Sequence, residues 1–497
     1  MFEEVVQGLF KGTVLIMTPS VLLMIISGVG MGLFFGAIPG LTTVLAMVLL
    51  LPLTYGIPAI EGFALLIAVY IGGITGGLVS AIMIGIPGTA ASIVTTFDGY
   101  PMAKRGEAGR ALGLGFAASF FGGLIGWFFL VLLTPQLAQF AISIRSTDYT
   151  MIILFGFFFI TVTASKDLTK SFLMTTIGCI LAAIGMDPLH GTSRLTMGTT
   201  LLEGGIGLVP LLSGIYVVSR AMEESETITI QYISPPGALT NMFSQILEIW
   251  RSWGNLLRSS IIGILIGILP GIGAAVAPFI SYDQAKKWSK HKDNFGHGEP
   301  DGIIASEACN NATIGGALIP GLALGIPGDV PVVILLGGFI LKGFQPGPLF
   351  FTENLDLVYS IFVAYFLANL VMLIIGLTVG VRIFSRVLSV KKVFLIPIIL
   401  IAGVIGSYNI GYSMDDVWVC LAGGMLGYLA IKAEYPITPL VISIILGPMF
   451  ENNLRIAMSV SKGSLLPFVQ RPVSLLFLVL TVLTVLVVLW NRRQHSE

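Results

Sequence analysis

The sequence is short of charge. Lys, Arg, Asp and Glu together make up only 10% of its 497 residues, and 26 basic residues balance 26 acidic ones. Soluble domains carry about a quarter charged residues, so this chain cannot clothe a set of soluble cores. A net charge of +0 leaves no basic footprint for a nucleic acid, and none is expected as a partner. The three cysteines, Cys179, Cys309 and Cys420, stand far apart in apolar surroundings. They offer neither a disulfide framework nor a metal set and read as small buried hydrophobes. HExxH, P-loop and nucleophile–base patterns are missing, so the chain is not expected to be an enzyme, and neither cofactor nor metal is called for. His190 stands near Pro188, and His291 and His297 fall in a polar stretch that suits solvation better than catalysis. The first residues carry Glu3 and Glu4 where a signal peptide would be basic, which argues against a removed leader.

Apolar residues fill the space that charge leaves, at 55% of the chain. Runs such as 111–133, 358–380 and 475–490 approach the roughly 20 residues that a spanning helix needs. They lack the period-two alternation of an outer-membrane barrel, and helices satisfy their own backbone in lipid. The expected fold is therefore all-α: a polytopic transmembrane protein with the lipid bilayer as its solvent.

Sixty glycines and 25 prolines interrupt this pattern, and the interruptions repeat. Gly36-Ala37-Ile38-Pro39-Gly40 returns as Gly267-Ile268-Leu269-Pro270-Gly271, and Gly85-Ile86-Pro87-Gly88 as Gly325-Ile326-Pro327-Gly328. The displacements are 231 and 240 positions, the excess being a polar insertion at 281–302. Two ordered pairs at nearly one displacement point to duplication. The halves read as 1–220 and 259–497, with a polar and amphipathic connector over 221–258 that includes Ser234-Pro235-Pro236-Gly237.

Charge gives the orientation. Lys104, Arg105 and Arg110 follow the second motif of the first half, whereas the matching stretch 342–356 has one Lys with Glu353 and Asp356. Link 54–61 has no Lys or Arg, whereas its counterpart 281–302 has Lys286, Lys287, Lys290 and Lys292. Basic loops stay in the cytoplasm, so equivalent loops fall on opposite sides and the repeats are inverted in topology. Lys166, Lys170, Arg382, Arg386, Lys391 and Lys392 fit the same scheme, and Arg492 and Arg493 place the C-terminus inside. Inversion requires an odd number of crossings in the first half, whereas hydropathy reads about six there. The count and the charge pattern disagree, and the connector is where the count is open.

Each motif breaks a helix. A broken helix frees N–H groups on one half and C=O groups on the other, and half-helix N-termini attract anions. Paired breaks in two halves point to a transporter's binding site; the competing reading is a set of packing kinks. The breaks are assigned to Pro39, Pro87, Pro270 and Pro327. The candidate substrate site takes Gly40, Thr42 and Thr43, then Gly88, Thr89 and Ser92, then Gly271, Gly273 and Gly328. Ile272-Gly273-Ala274-Ala275 offers bare backbone. Asp329 serves as N-cap or in cation coupling. Ser306-Glu307-Ala308-Cys309-Asn310-Asn311-Ala312-Thr313 puts Glu307, Asn310 and Asn311 within about one helical turn, either to hold an ion or ligand or as an exposed helix start. Asn310 and Asn311 join the substrate candidates, and Glu307 joins Asp329 as a cation-coupling candidate.

These stretches, with Tyr70-Ile71-Gly72-Gly73, Phe97-Asp98-Gly99-Tyr100-Pro101-Met102-Ala103-Lys104 and Gln345-Pro346-Gly347-Pro348, resemble the large membrane subunit of the tripartite tricarboxylate transporters over roughly residues 30–350. The resemblance implies uptake of small organic carboxylates driven by Na⁺ or H⁺ without ATP. It also implies a small membrane subunit of about four helices and a periplasmic solute-binding protein, at a bacterial inner membrane. Gly85 departs from the pattern, since family members often carry Asn there. A homo-oligomer is compatible with this reading. A channel, a lipid translocator or a structural membrane protein are the competing classes.

Overall fold

The computed structural model describes residues 2–165, 167–187, 190–199, 202–226, 244–271, 273–380, 386–388, 390 and 392–495. Lys166, Ile272, Arg382, Lys391 and the connector stretch 227–243, with Ser234-Pro235-Pro236-Gly237, lie outside the described residues. The first half forms α1 (Phe2–Ile16), α2 (Pro19–Ala37), α3 (Thr43–Tyr55), α4 (Ala59–Ile84), α5 (Thr95–Lys104), α6 (Ala108–Ile142), α7 (Ser146–Thr163) and α8 (Leu168–Ala183). Short helices α9 (Leu208–Ser213), α10 (Ser219–Glu226) and α11 (Ser244–Ile249) follow. Then come α12 (Trp253–Gly267), α13 (Gly273–Trp288), α14 (Pro300–Leu324), α15 (Val330–Leu341), α16 (Pro348–Glu353) and α17 (Leu355–Ile375). The chain ends in α18 (Lys392–Gly411), α19 (Met414–Lys432), α20 (Ile437–Val460), α21 (Leu466–Gln470) and α22 (Pro472–His495). A two-residue antiparallel pairing, Gly185–Met186 with Ser193–Arg194, is the sheet content among the described residues.

Eight helices among the described residues are long and apolar enough to cross a membrane, and the chain is a multi-pass membrane protein. Four of them, α2, α4, α6 and α7, lie in the first half, and the shorter apolar α3 and α8 bring its total to the six apolar segments that hydropathy registers. On the outer helices Phe394, Ile398, Ile401, Ile405, Trp418, Leu476 and Leu483 are exposed. Such a surface would be an aggregation patch in water and suits lipid. The polar insertion is shorter as a loop than its composition suggests. α13 runs on through Lys286 and Lys287 to Trp288, and α14 starts at Pro300. Likewise α12 begins at Trp253, inside the stretch read as connector.

α4 and α14 are the hubs. From Gly62 to Met83 and from Gly302 to Leu324 every residue is buried. Glycine sets how close their neighbours come. A Cβ on Gly32 or Gly36 of α2 would run into the carbonyls of Val69 and Gly73 on α4. A Cβ on Gly263 or Gly267 of α12 would run into those of Cys309 and Thr313 on α14. In return Gly76 faces the Leu33 carbonyl and Gly316 the Ile264 carbonyl. Each of these contacts in the first half maps onto the second by adding 231 on α2 or 240 on α4. The α2–α4 and α12–α14 pairs therefore pack backbone to backbone in one register, as small residues allow in membranes.

The outer partners are exchanged between halves: α4 also packs on α17, and α14 on α6. So are the loops. Arg105 donates to the carbonyl oxygens of His297 and Gly298, tying the 104–110 loop to the 281–302 insertion. Asp98 at the heart of α5 accepts N–H bonds from Gly296, Gly298 and Glu299 at 2.9, 2.8 and 2.8 Å and an O–H bond from Tyr282 at 2.7 Å. At the other end of α4, Lys342 donates to the carbonyls of Tyr55 and Ile57.

Candidate functional site

The four breaks fall where the motifs put them, and they match in pairs. Gly40 and Gly271 both take positive φ, 94° and 83°. Gly85 and Gly325 end α4 and α14 in the left-handed conformation, at φ 70° and 73°. Glycine reaches these angles without strain, and at a left-handed helix end such as Gly85 Asn is the next best tolerated residue. Thr42, Thr89 and Asp329 then stand in extended conformation at the heads of α3, of the short turn Ala90–Ser92 and of α15. Pro39, Pro87, Pro270 and Pro327 lie between the helix ends, where no N–H is missed.

A cavity of about 380 Å³ opens among these heads. Thr42, Thr43 and Thr89 reach it from the first half, and Gly271, Gly273 and Asp329 from the second. Tyr216, Ser219 and Arg220 close one side, at the end of a π-helical turn over Gly214–Val218, and Thr438 at the head of α20 closes another. The volume is in the range of small-molecule sites.

The hydroxyls differ in what they have left to give. Thr42 Oγ1 accepts from the Leu45 N–H at 3.2 Å as an N-cap. Thr43 Oγ1 is buried and without a partner. Ser92 is enclosed; it accepts from the Thr89 N–H at 3.2 Å and donates to the Thr89 carbonyl at 2.9 Å. Thr89 Oγ1 makes a long contact to Ser92 Oγ, at 3.5 Å. Ser92 thus builds the turn, and Thr89 lines the cavity with its hydroxyl beside Ser92 and Gly77 of α4. Asp329 caps α15 through the Val332 N–H at 3.1 Å, and its other carboxylate oxygen accepts from the buried Tyr70 hydroxyl of α4. It is therefore an N-cap and a cavity residue at once.

Gly40, Gly88 and Gly328 stand behind the lining. The Glu224 carboxylate lies over the Gly40 Cα, and Gly88 and Gly328 press on the carbonyls of Gly36 and Gly267. The Gly271 N–H donates to the Gly328 carbonyl at 2.8 Å, so the two breaks of the second half hold each other. In the first half Arg220 supplies the tie. Its Nε donates to the Gly40 carbonyl at 2.9 Å while Nη1 pairs with Glu223, and Glu224 stands 4.0 Å away.

Glu307, Asn310 and Asn311 lie elsewhere, in the seam of α4, α5, α6 and α14. They are fully buried, which removes the exposed-helix-start reading. Glu307 accepts from Thr95 of α5 and, at 3.2 Å, from Ser119 of α6. Asn311 Nδ2 donates to Thr75 of α4 at 2.8 Å. Asn310 lies about one turn beyond Glu307 on α14, and neither of its amide atoms makes a hydrogen bond, nor does Asn311 Oδ1.

The chain matches the family described as "Tripartite tricarboxylate transporter TctA family" over residues 22–442. It belongs to that family. Its function is therefore that of a membrane component of a tripartite transporter, a class that works with partner subunits. It is 31% identical over 471 residues to an "Uncharacterized 52.8 kDa protein in TAR-I ttuC' 3'region" of Agrobacterium vitis, covering 95% of this chain and 93% of that one. It is 36% identical over 212 residues to an "Uncharacterized protein in TAR-II ttuC' 3'region" of the same organism, covering 43% of this chain and 87% of the relative. No solved structure matches the chain.

Arg220, Tyr216, Ser219 and Thr438 escaped the sequence reading. The available signal was a cation at the end of an apolar helical stretch in a chain with few charges, a placement that is costly in a membrane and usually functional.

Proposed function

We propose that the chain is the large permease subunit of a binding-protein-dependent secondary transporter for small organic carboxylates of the di- and tricarboxylate type. The observation that carries this reading is the convergence of the heads of α3, α13 and α15, the turn that Thr89 heads and one arginine on a single cavity. Carboxylates need donors. The heads after the breaks offer backbone N–H groups and dipoles, Thr42, Thr43 and Thr89 offer hydroxyls, and Arg220 offers the cation that the motifs themselves lack. Asp329 on the opposite wall repels a carboxylate pressed against it, so it favours substrates whose anionic groups gather toward Arg220 and the first half.

In this reading a periplasmic solute-binding protein delivers the substrate and a small membrane subunit of about four helices completes the complex in a bacterial inner membrane. A Na⁺ or H⁺ gradient drives uptake, since the motifs for nucleotide binding are missing from the sequence. The two halves are related by inversion. Support comes from the loops: 281–302 lies beside 104–110, at the opposite end of α4 from its own counterpart 54–61, which instead meets Lys342. The test is uptake of a di- and tricarboxylate panel into proteoliposomes holding this chain with its partner subunits, under imposed Na⁺ or proton gradients and without ATP. Gradient-dependent accumulation of at least one carboxylate is expected. Strict ATP dependence, or free passage without the binding protein, would overturn the reading in favour of another transporter class or a channel.

A further inference from the structure

Glu307, Asn310 and Asn311 do not line the substrate cavity, and the bonds within their seam leave three amide atoms without a partner. Buried polar atoms are nearly always paired, and each one left unpaired is costly at low dielectric. Here Asn310 Nδ2, Asn310 Oδ1 and Asn311 Oδ1 are all buried and unpartnered beside a buried carboxylate. On α14, Glu307, Asn310 and Asn311 lie within about one turn and project into a common arc of roughly 100°. Thr95 and Ser119 close that arc from α5 and α6 with hydroxyl oxygens already on Glu307.

We infer that this seam binds one Na⁺, held by the Glu307 carboxylate, the side-chain oxygens of Asn310 and Asn311 and the hydroxyls of Thr95 and Ser119. The donor set is all oxygen, as hard cations prefer. A proton on Glu307 would neutralise the carboxylate and give one O–H donor, which satisfies at most one of the two amide oxygens and leaves the other as it was. A monovalent cation answers the carboxylate's single charge and the orphaned oxygens together, whereas a divalent one would leave a net buried charge. The site is small: Gly122 and Gly126 bring α6 onto the backbone carbonyls of Ala308 and Ala312 of α14, and a Cβ at Gly122 would run into the first of them. That proximity suits a dehydrated Na⁺ better than K⁺. The ion sits on helix α14, whose continuation past Gly325 carries Asp329 to the cavity, which is how occupancy would reach the substrate. Only this last link rests on the permease reading; the binding of Na⁺ does not.

Thermal unfolding of the purified chain, with NaCl exchanged for choline chloride or KCl at constant ionic strength, tests the site without any substrate. A ligand that binds only the folded state raises the midpoint as its concentration passes its Kd. Na⁺ is expected to raise the midpoint and K⁺ to leave it near the choline value. Asn310→Ala and Glu307→Gln should each raise the half-effective Na⁺ concentration at least tenfold, while Asp329→Asn leaves it unchanged. Thr95→Ser, which keeps the hydroxyl oxygen in place and adds no charge, should retain the shift and guards against variants that merely fail to fold. Equal shifts with K⁺, a Na⁺ shift that survives both Asn310→Ala and Glu307→Gln, or one lost only in Asp329→Asn would overturn the assignment. A Na⁺ shift that follows this pattern in a protein that takes up no carboxylate would leave the site standing and remove the permease reading.

Discussion

The two halves of this protein share a frame and differ in chemistry. α2 meets α4 and α12 meets α14 through the same glycines, displaced by constant intervals, and Gly88 and Gly328 lock each frame against the first glycine of its partner motif. The residues one step beyond are not alike. Thr89 heads the turn after Gly88 and Asp329 heads the helix after Gly328, so one half presents a hydroxyl where the other presents a carboxylate. Thr42 and Thr43 face Gly273 across the same cavity. Even the ties differ: Arg220 holds the Gly40 carbonyl, whereas Gly271 holds Gly328. Close packing tolerates almost no change at the interlocking glycines, while a residue at a helix head needs only an oxygen to cap. The two halves therefore differ at the heads and match at Gly32, Gly36, Gly76 and Gly88, whose counterparts are Gly263, Gly267, Gly316 and Gly328.

The seams give the largest expected effect. Gly88→Val and Gly328→Val each drive a branched side chain into a backbone carbonyl that cannot retreat. Overpacking of this kind costs about 1–3 kcal/mol or more, and uptake should be lost in both. If one half tolerates valine while the other does not, the frames are not equivalent; uptake by each variant, scored against the amount inserted, decides this.

Arg220 comes next, since it marks the first half alone. Hydrogen bonds to charged groups are worth about 1.5–3 kcal/mol, so Arg220→Gln should weaken carboxylate affinity by roughly 10–100-fold with folding retained. Arg220→Lys should recover only part, because a point charge cannot hold Gly40 and a substrate with a planar fork. Isothermal titration with a transported carboxylate measures both; unchanged affinity in Arg220→Gln would mean that the arginine serves the break and not the substrate.

A third contrast concerns what ties the halves together. Asp98 accepts four hydrogen bonds from the insertion and Tyr282, and it is enclosed. Asp98→Asn keeps the shape but offers one oxygen in place of two. Loss of charged bonds should destabilise the loop locally by about 1–2 kcal/mol, read as faster amide exchange at Gly296, Gly298 and Glu299 with α4 unaffected. Exchange accelerating throughout α4 would show that the tie supports the whole core.

Much of the fold was legible because glycine and proline write their constraints locally. The breaks at Pro39, Pro87, Pro270 and Pro327 follow from the chain's own backbone needs, and so does the pairing of motifs. α14 was harder. Hydropathy passes over it, since Glu307, Asn310 and Asn311 dilute its apolar residues, although it is one of the two most enclosed helices in the molecule. Its burial becomes visible only when α6 and α12 are laid against it. The cavity was legible on the walls that the motifs build and hidden on the wall they do not. Arg220 is 180 residues from the carbonyl it holds, and no local pattern announces a contact at that distance. The Ser92 hydroxyl was expected beside Thr89 in the site, and the turn claims it instead.

The smallest expected effect separates the two heads directly. Thr89 Oγ1 has one long contact to Ser92 Oγ, at 3.5 Å, and lines the cavity. The turn itself is closed by Ser92 on the Thr89 backbone, bonds that survive when the threonine side chain changes. Thr89→Val therefore removes a hydroxyl at the cavity wall while sparing the bonds that Ser92 makes to the Thr89 backbone. A neutral hydrogen bond is worth about 0.5–1.5 kcal/mol, so substrate affinity should fall by roughly 2–12-fold, with the thermal midpoint shifted little. Thr89→Ser keeps the hydroxyl and should restore affinity. Asp329 offers the opposite control. Its carboxylate is committed to the Val332 N–H and the Tyr70 hydroxyl, so Asp329→Asn should leave the fold standing and relieve repulsion, tightening carboxylate binding while Thr89→Val loosens it. Affinity for one transported carboxylate, measured across these three variants at fixed salt, tests the contrast. Changes of the same sign in Thr89→Val and Asp329→Asn would mean that the hydroxyl and the carboxylate do not act on the substrate in opposite senses, and that it is held by the backbone and Arg220 without them.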